Sequence, residues 1–180
     1  MGDMTATSIN HVSVHAIDLD ASVAFYQDLF GMRRIPTPNF AFPVQWLRLG
    51  TQQLHLVVRP DAQAPLFHHI ALNVDDFAAV YWTACERKLH DESAFFSKMY
   101  ELPDGAVQMY VRDPAGNLVE IDWPDARSLD PRIQEDLVPL SDTAPQTGDA
   151  LTATLYLGRR DGGVDEAAVC DHHGDGQDIA

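Results

Sequence analysis

Between residues 8 and 17 the chain alternates, with His11, Ser13 and His15 on one side and Val12, Val14 and Ala16 on the other. That period of two predicts a strand with one apolar and one polar face. Asp18-Leu-Asp20 then offers a helix N-cap, and Val23, Phe25, Tyr26, Leu29 and Phe30 recur at three- and four-residue spacing up to Gly31. A helix over 21–30 that stops at Gly31 follows, since glycine takes the left-handed cap conformation without a Cβ penalty. Beyond a proline-rich loop at 35–43, the runs 44–49 and 53–58 read as strands joined at Gly50-Thr51. The first part of the chain is therefore β-α-β-β, with room for one more strand.

The pattern then starts again. Residues 68–75 (HHIALNVD) echo 10–18 (NHVSVHAID) with one residue fewer, and an apolar helix over 77–89 succeeds them. Strands at 106–112 and 118–123 flank Asp113-Pro-Ala-Gly-Asn117, a tight turn in which Pro presets one dihedral and Gly supplies a positive one. Halves of about 55 residues bury too little surface to stand alone, so two copies packed on each other are expected, an α+β domain. Its bounds are 8–124, with modules at 8–60 and 66–124. The remainder, 125–180, is an acidic extension, with a short helix near 133–137, an alternating strand at 151–157 and a Gly/Asp-rich, partly disordered end.

The duplication pairs chemistry with chemistry. His11 matches His69 at the start of each first strand, and His55 matches Glu120 in each last strand. All four are metal-ligand types, and each falls on the strand face away from the helix. His55, inside the apolar run LHLV, is open to three roles: ligand, acid/base or core hydrogen-bonder. His15 and His68 read as structural neighbours, His90 as a solvated residue, and His172 and His173 as part of a disordered tail.

The motifs NHVSV, HHIAL, QLHLV and YVRDPAGNLVEI resemble the vicinal oxygen chelate superfamily, which includes glyoxalase I, methylmalonyl-CoA epimerase, extradiol dioxygenases, fosfomycin resistance enzymes and bleomycin resistance proteins. The resemblance implies two paired βαβββ modules forming a half-open barrel around a metal site. Carried over by position, it makes His11, His69 and Glu120 ligands of one divalent metal, with His55 as a possible fourth. Fe(II) is favoured, with Mn, Co, Ni or Zn as alternatives. The substrate would be a small molecule with vicinal oxygens. Tyr110 and His55 are the catalytic candidates, and Trp46, Arg48, Phe42 and Asn73 the substrate contacts, Arg48 as a receiver of an anion. The leading expectation is an Fe(II) extradiol-type ring-cleaving dioxygenase, although the stretch before the Tyr110 strand lacks the histidine of that signature. The alternatives are a glyoxalase-like lyase, isomerase or epimerase working through a chelated enediolate, and a metal-free binding (resistance) protein. A homodimer is the expected assembly.

Charge narrows the partners. With 12 basic and 27 acidic residues the formal charge is −15, which repels phosphate backbones and anionic lipid. Residues 126–180 carry 11 acidic and 4 basic side chains, so net −7 of that charge belongs to the extension. Two cysteines, Cys85 and Cys170, cannot form a disulfide framework, and no long apolar run or signal pattern is present, so a cytoplasmic protein is expected.

Overall fold

The computed structural model describes residue 6 and residues 8–157. The expectations for Cys170, His172, His173 and the disordered end fall outside the described residues. Strand β1 (His11–Ala16) leads into helix α1 (Leu19–Phe30) and then β2 (Arg33–Ile35), β3 (Val44–Leu49) and β4 (Gln52–Val58). The second module repeats the order as β5 (His69–Asn73), α2 (Phe77–Arg87), β6 (Met99–Glu101), β7 (Val107–Arg112) and β8 (Leu118–Trp123). Each module is thus βαβββ, and β2 fills the place the sequence left for one more strand.

The helices form where the local signals put them. Asp18 caps α1 by accepting from the Ala21 amide, and Gly31 ends it at φ 63°. Asp76 caps α2 through Ala79, but there a non-glycine residue, Lys88, closes the helix in the left-handed region at φ 55°. In the first sheet the order is β1-β4-β3-β2, with β1 parallel to β4. The second sheet runs β5-β8-β7-β6-β9, and β5 is parallel to β8. A parallel neighbour requires a crossover, which each helix supplies while covering one face of its sheet.

That covered side holds the main core, including Tyr26, Leu47, Leu56, Phe77, Met109, Ile121 and Ile133, all nearly or fully removed from water. Each such side chain contributes about 1.5–3 kcal/mol. The β1 and β5 edges are not hydrogen-bonded to each other, so no closed barrel forms. A cavity of about 350 Å³ lies between them, with His11 and Val12 of β1 and His69–Leu72 of β5 among its lining.

The turn at Asp113–Asn117 joins the modules. Asp113 Oδ1 accepts the amides of Ala115 and Asn117 at 2.9 and 2.8 Å, and its Oδ2 accepts the Tyr26 hydroxyl from α1 at 3.0 Å. Asn117 Nδ2 donates to the His15 carbonyl of β1 at 2.7 Å. A turn that closes a hairpin in one module therefore satisfies buried polar groups of the other.

The extension departs from its expected form. After a 3-10 turn at Ala126–Ser128, α3 (Pro131–Gln134) is shorter and earlier than the helix anticipated near 133–137, because Pro131 sets its first turn behind the Asp130 cap. β9 (Leu137–Pro139) follows and adds a parallel strand to β6. The alternating run 151–157 is not a strand: it begins in the 3-10 turn Gly148–Thr152 and continues irregularly. The edge at β6 is taken by β9 instead.

Candidate active site

On each sheet the face away from the helix carries the residues singled out by the repeat. Strand register makes the correspondence explicit. His11 and His69 open β1 and β5, while His55 lies opposite Ser13 and Glu120 opposite Ala71. Trp46 sits across from His55 on β3, and Tyr110 sits across from Glu120 on β7. Directly opposed residues share a face, so His55 with Trp46 and Glu120 with Tyr110 are equivalent couples of the duplicated sheet.

In the first module the His11 and His55 rings stack at 4.2 Å and 15°, and Trp46 stacks on the other side of His55 at 4.3 Å and 6°. His55 is 8% exposed, and its Nε2 lies 2.9 Å from Gln53 Oε1. Burial, helped by the neighbouring His11 charge, pushes the His55 imidazole below its usual range. A neutral imidazole is the form that binds a cation or accepts a proton. Phe40 and Phe42 extend the aromatic wall, stacked at 5.5 Å, with Phe40 6.2 Å from Trp46 and Arg59 over the Phe42 ring.

In the second module His69 Nε2 stands 3.2 Å from Glu120 Oε2, with the imidazole 37% exposed and the carboxylate 4%. The other ring nitrogen of His69 faces the Phe67 carbonyl at 2.9 Å. Gln108 donates to Glu120 Oε1, and Tyr110 and Asp122 lie beside the same carboxylate. Burial, then the Glu120 charge, raise Asp122 to about 8. Its Oδ1 is buried without a partner among the described residues. Burial and Glu120 also raise Tyr110, whose hydroxyl stays protonated.

The structure thus brings the four candidate donors together as two pairs, His11 with His55 and His69 with Glu120. Among the described residues no three His, Cys, Asp or Glu side chains group at metal-binding distance. His11 and His69 nonetheless line the same cavity. Arg48 lies one row along the same face, its Nε donating to the Gly50 carbonyl at 2.9 Å, and Asn73 is exposed opposite Asp122.

Three features escaped the sequence. Phe96 and Tyr100 form a second, smaller core with Tyr110 and Leu118 on the candidate-site face, exposed Phe95 stacks on Tyr100, and Val138 and Leu140 of the extension pack against that core. Phe67, 65% exposed, meets Phe96 at 5.6 Å. The apolar SAFF run at 93–96 was the only signal for it. Arg112 is tied to Asp91 and to the Gly116 and Leu66 carbonyls. His90 is half-buried, with Nε2 3.4 Å from Cys85 Sγ, because the β-bridge at His90 turns it inward.

A family model described as the glyoxalase/bleomycin resistance protein/dioxygenase superfamily matches residues 8–121. The chain belongs to that superfamily. Among curated proteins, YwbC of Bacillus subtilis is 30% identical over 126 residues, covering 64% of this chain and 96% of its own. Glyoxylase I 4 of Arabidopsis thaliana is 28% identical over 127 residues, 64% and 70% of the two chains. A glyoxalase family structure from Bacillus anthracis superposes with a TM-score of 0.53 at 23% identity, over 67% of this chain and 98% of that one, which shows the shared fold. No described helix is long and apolar enough to cross a membrane.

Proposed function

We propose that this member of the superfamily is a metal-dependent enzyme that moves a proton on a small substrate presenting two adjacent oxygens, as glyoxalase-like lyases, isomerases and epimerases do. The observation that carries this reading is Glu120. It is a buried carboxylate with His69 on one side and Gln108, Tyr110 and Asp122 on the other. So held, its free edge points toward His69. Glu120 takes the proton from the substrate carbon and returns it to the neighbouring carbon or oxygen of the same substrate. His55, kept neutral, is the fourth donor, on the opposite wall.

His11, His55, His69 and Glu120 would hold the divalent cation, which when bound stabilises the negative charge that develops on the substrate oxygens. The donors fit. His69 Nε2 and Glu120 Oε2 are 3.2 Å apart, one member of each pair, His11 and His69, borders the same cavity, and a mixed nitrogen and oxygen set suits Fe(II), Mn, Co, Ni or Zn. We place the centre across the β1–β5 cleft of one chain. Trp46 and Phe42 with Phe67 and Phe96 form the apolar walls, and Arg48 and Asn73 contact the substrate at the periphery. A homodimer would cover the exposed Ile9, Leu66 and Phe67 at the mouth.

An extradiol-type dioxygenase is the second reading, favoured by Tyr110 lying directly across from Glu120. The two are separated by incubating the metal-loaded chain in D2O with α-hydroxy carbonyl compounds and, separately, under O2 with catechols. Deuterium entry at the α-carbon, lost in Glu120→Gln, supports proton transfer. O2 uptake with catechol and no exchange supports the dioxygenase. A chain that retains no metal after loading and dialysis would point instead to a metal-free binding protein.

A further inference from the structure

Arg33 and Arg48 stand directly opposite each other across the β2–β3 pair. The same register row continues through Gln53 on β4 to His11 on β1. Both arginines therefore lie on the sheet face that carries His11 and His55. Like charges placed opposite each other on a sheet repel, so the arrangement costs stability unless something neutralises it.

No acidic side chain does so among the described residues, although the chain has 27 of them against 12 basic ones. Arg34, next to Arg33, pairs with Asp20; Arg87 pairs with Asp28 and Arg112 with Asp91. Arg33 and Arg48 have no such partner among the described residues. Between them opens a cavity of about 220 Å³ lined by Gly31, Arg33, Arg48 and Gly50. The Gly50 carbonyl holds Arg48 through Nε, which leaves the two terminal nitrogens of that guanidinium unpartnered among the described residues.

We propose that Arg33 and Arg48 form an oxyanion subsite, in which one carboxylate or phosphate group bridges the two guanidinium groups. Opposed side chains start about 5 Å apart, a gap that a three- or four-atom oxyanion spans with a charge-assisted hydrogen bond to each side. The subsite lies between two and three strands from His11, about 12 Å at the usual strand spacing. Taken with the function proposed above, on which this last step rests, the substrate carries an anionic group at that distance from its paired oxygens. In a strongly acidic chain such a local cationic spot also determines where an anion can approach at all.

The test is titration of the full-length, metal-free chain at low ionic strength with inorganic phosphate and, separately, with succinate, followed by calorimetry. Saturable binding is expected, weakened about tenfold or more in Arg33→Gln and in Arg48→Gln, the loss of one charge-assisted contact. Arg87→Gln removes the same charge from α2 and should leave binding unchanged. Whether phosphate or succinate binds tighter assigns the group, and either supports the subsite. Absence of saturable binding of both, or equal losses in all three variants, overturns it. Metal titrations of the same samples keep the two readings apart. Anion binding that persists in a chain unable to bind any divalent metal refutes the chelate centre and not the subsite.

Discussion

His69 Nε2 and Glu120 Oε2 meet at 3.2 Å although 51 positions separate them in the chain. β5 and β8 are parallel neighbours, and their register sets Glu120 one pair beyond His69 on the same face. Gln108 fixes the other carboxylate oxygen. If this pair holds a cation, His69→Ala abolishes divalent metal retention. Gln108→Leu, which removes only the orienting hydrogen bond, lowers affinity by about 10–100-fold. Competition titration against a chelating dye measures both, and wild-type affinity in Gln108→Leu would remove Glu120 from the ligand set.

Placing the centre within one chain has its own consequence. Equal mixtures of His11→Ala and His69→Ala chains, unfolded and refolded together, should recover no metal binding. Were the donors shared between two copies, mixed dimers would regenerate an intact centre, and recovery of a substantial fraction of wild-type capacity would refute the in-chain assignment.

The His11–His55–Trp46 stack reports its own protonation. Burial, then His11, lower the His55 pKa, so Trp46 fluorescence should titrate with a midpoint below the ordinary 6.5. His11→Gln removes one of the two causes and moves the midpoint upward. Trp46→Phe identifies the signal among the three tryptophans, and an unchanged midpoint in His11→Gln would contradict the coupling.

Stability should follow the same direction. The folded-state pKa values of His55 and His90 are both depressed, chiefly by burial. Groups of this sort contribute stability above their unfolded value near 6.5 that is lost as pH falls through the folded values. Urea midpoints of the metal-free chain are expected to decline below about pH 6.5. The decline should be shallower in His90→Gln, and an identical slope would exclude His90 as a source.

Asp113 joins the modules, so its removal should be felt by the whole domain. Asp113→Ala leaves the Tyr26 hydroxyl and two turn amides without their acceptor, at a cost of about 2–4 kcal/mol. Ile133→Ala, in the extension but fully buried, should cost about 2–5 kcal/mol. A loss under about 1 kcal/mol in urea unfolding at Ile133 would mean that the extension docks without sharing the core.

Much of the module architecture was legible because it rests on local signals. Period-two and period-3.6 patterns, aspartate caps and Gly31 placed the strands and helices, and their repetition matched His11 with His69 and His55 with Glu120. The extension was read less well. The run at 151–157 alternates like a strand, yet a strand needs a partner edge, and competition for that edge is a non-local matter. The Phe95–Phe96 cover and the Arg112–Asp91 tie were missed for the same reason, as each depends on a neighbour brought close by sheet order.

The sequence by itself determined the duplication, the superfamily and the identity of the four candidate donors, because periodicity and repeat carry that information along the chain. Only the tertiary structure decided that the candidates stand as two pairs, one member of each bordering the same cavity, and that the DPAGN turn ties the modules together. It also decided that Arg33 and Arg48 face each other without an acidic partner among the described residues. Side-chain alternation names the face on which a residue lies, but strand register and the packing of two sheets set which residue lies opposite it and at what distance.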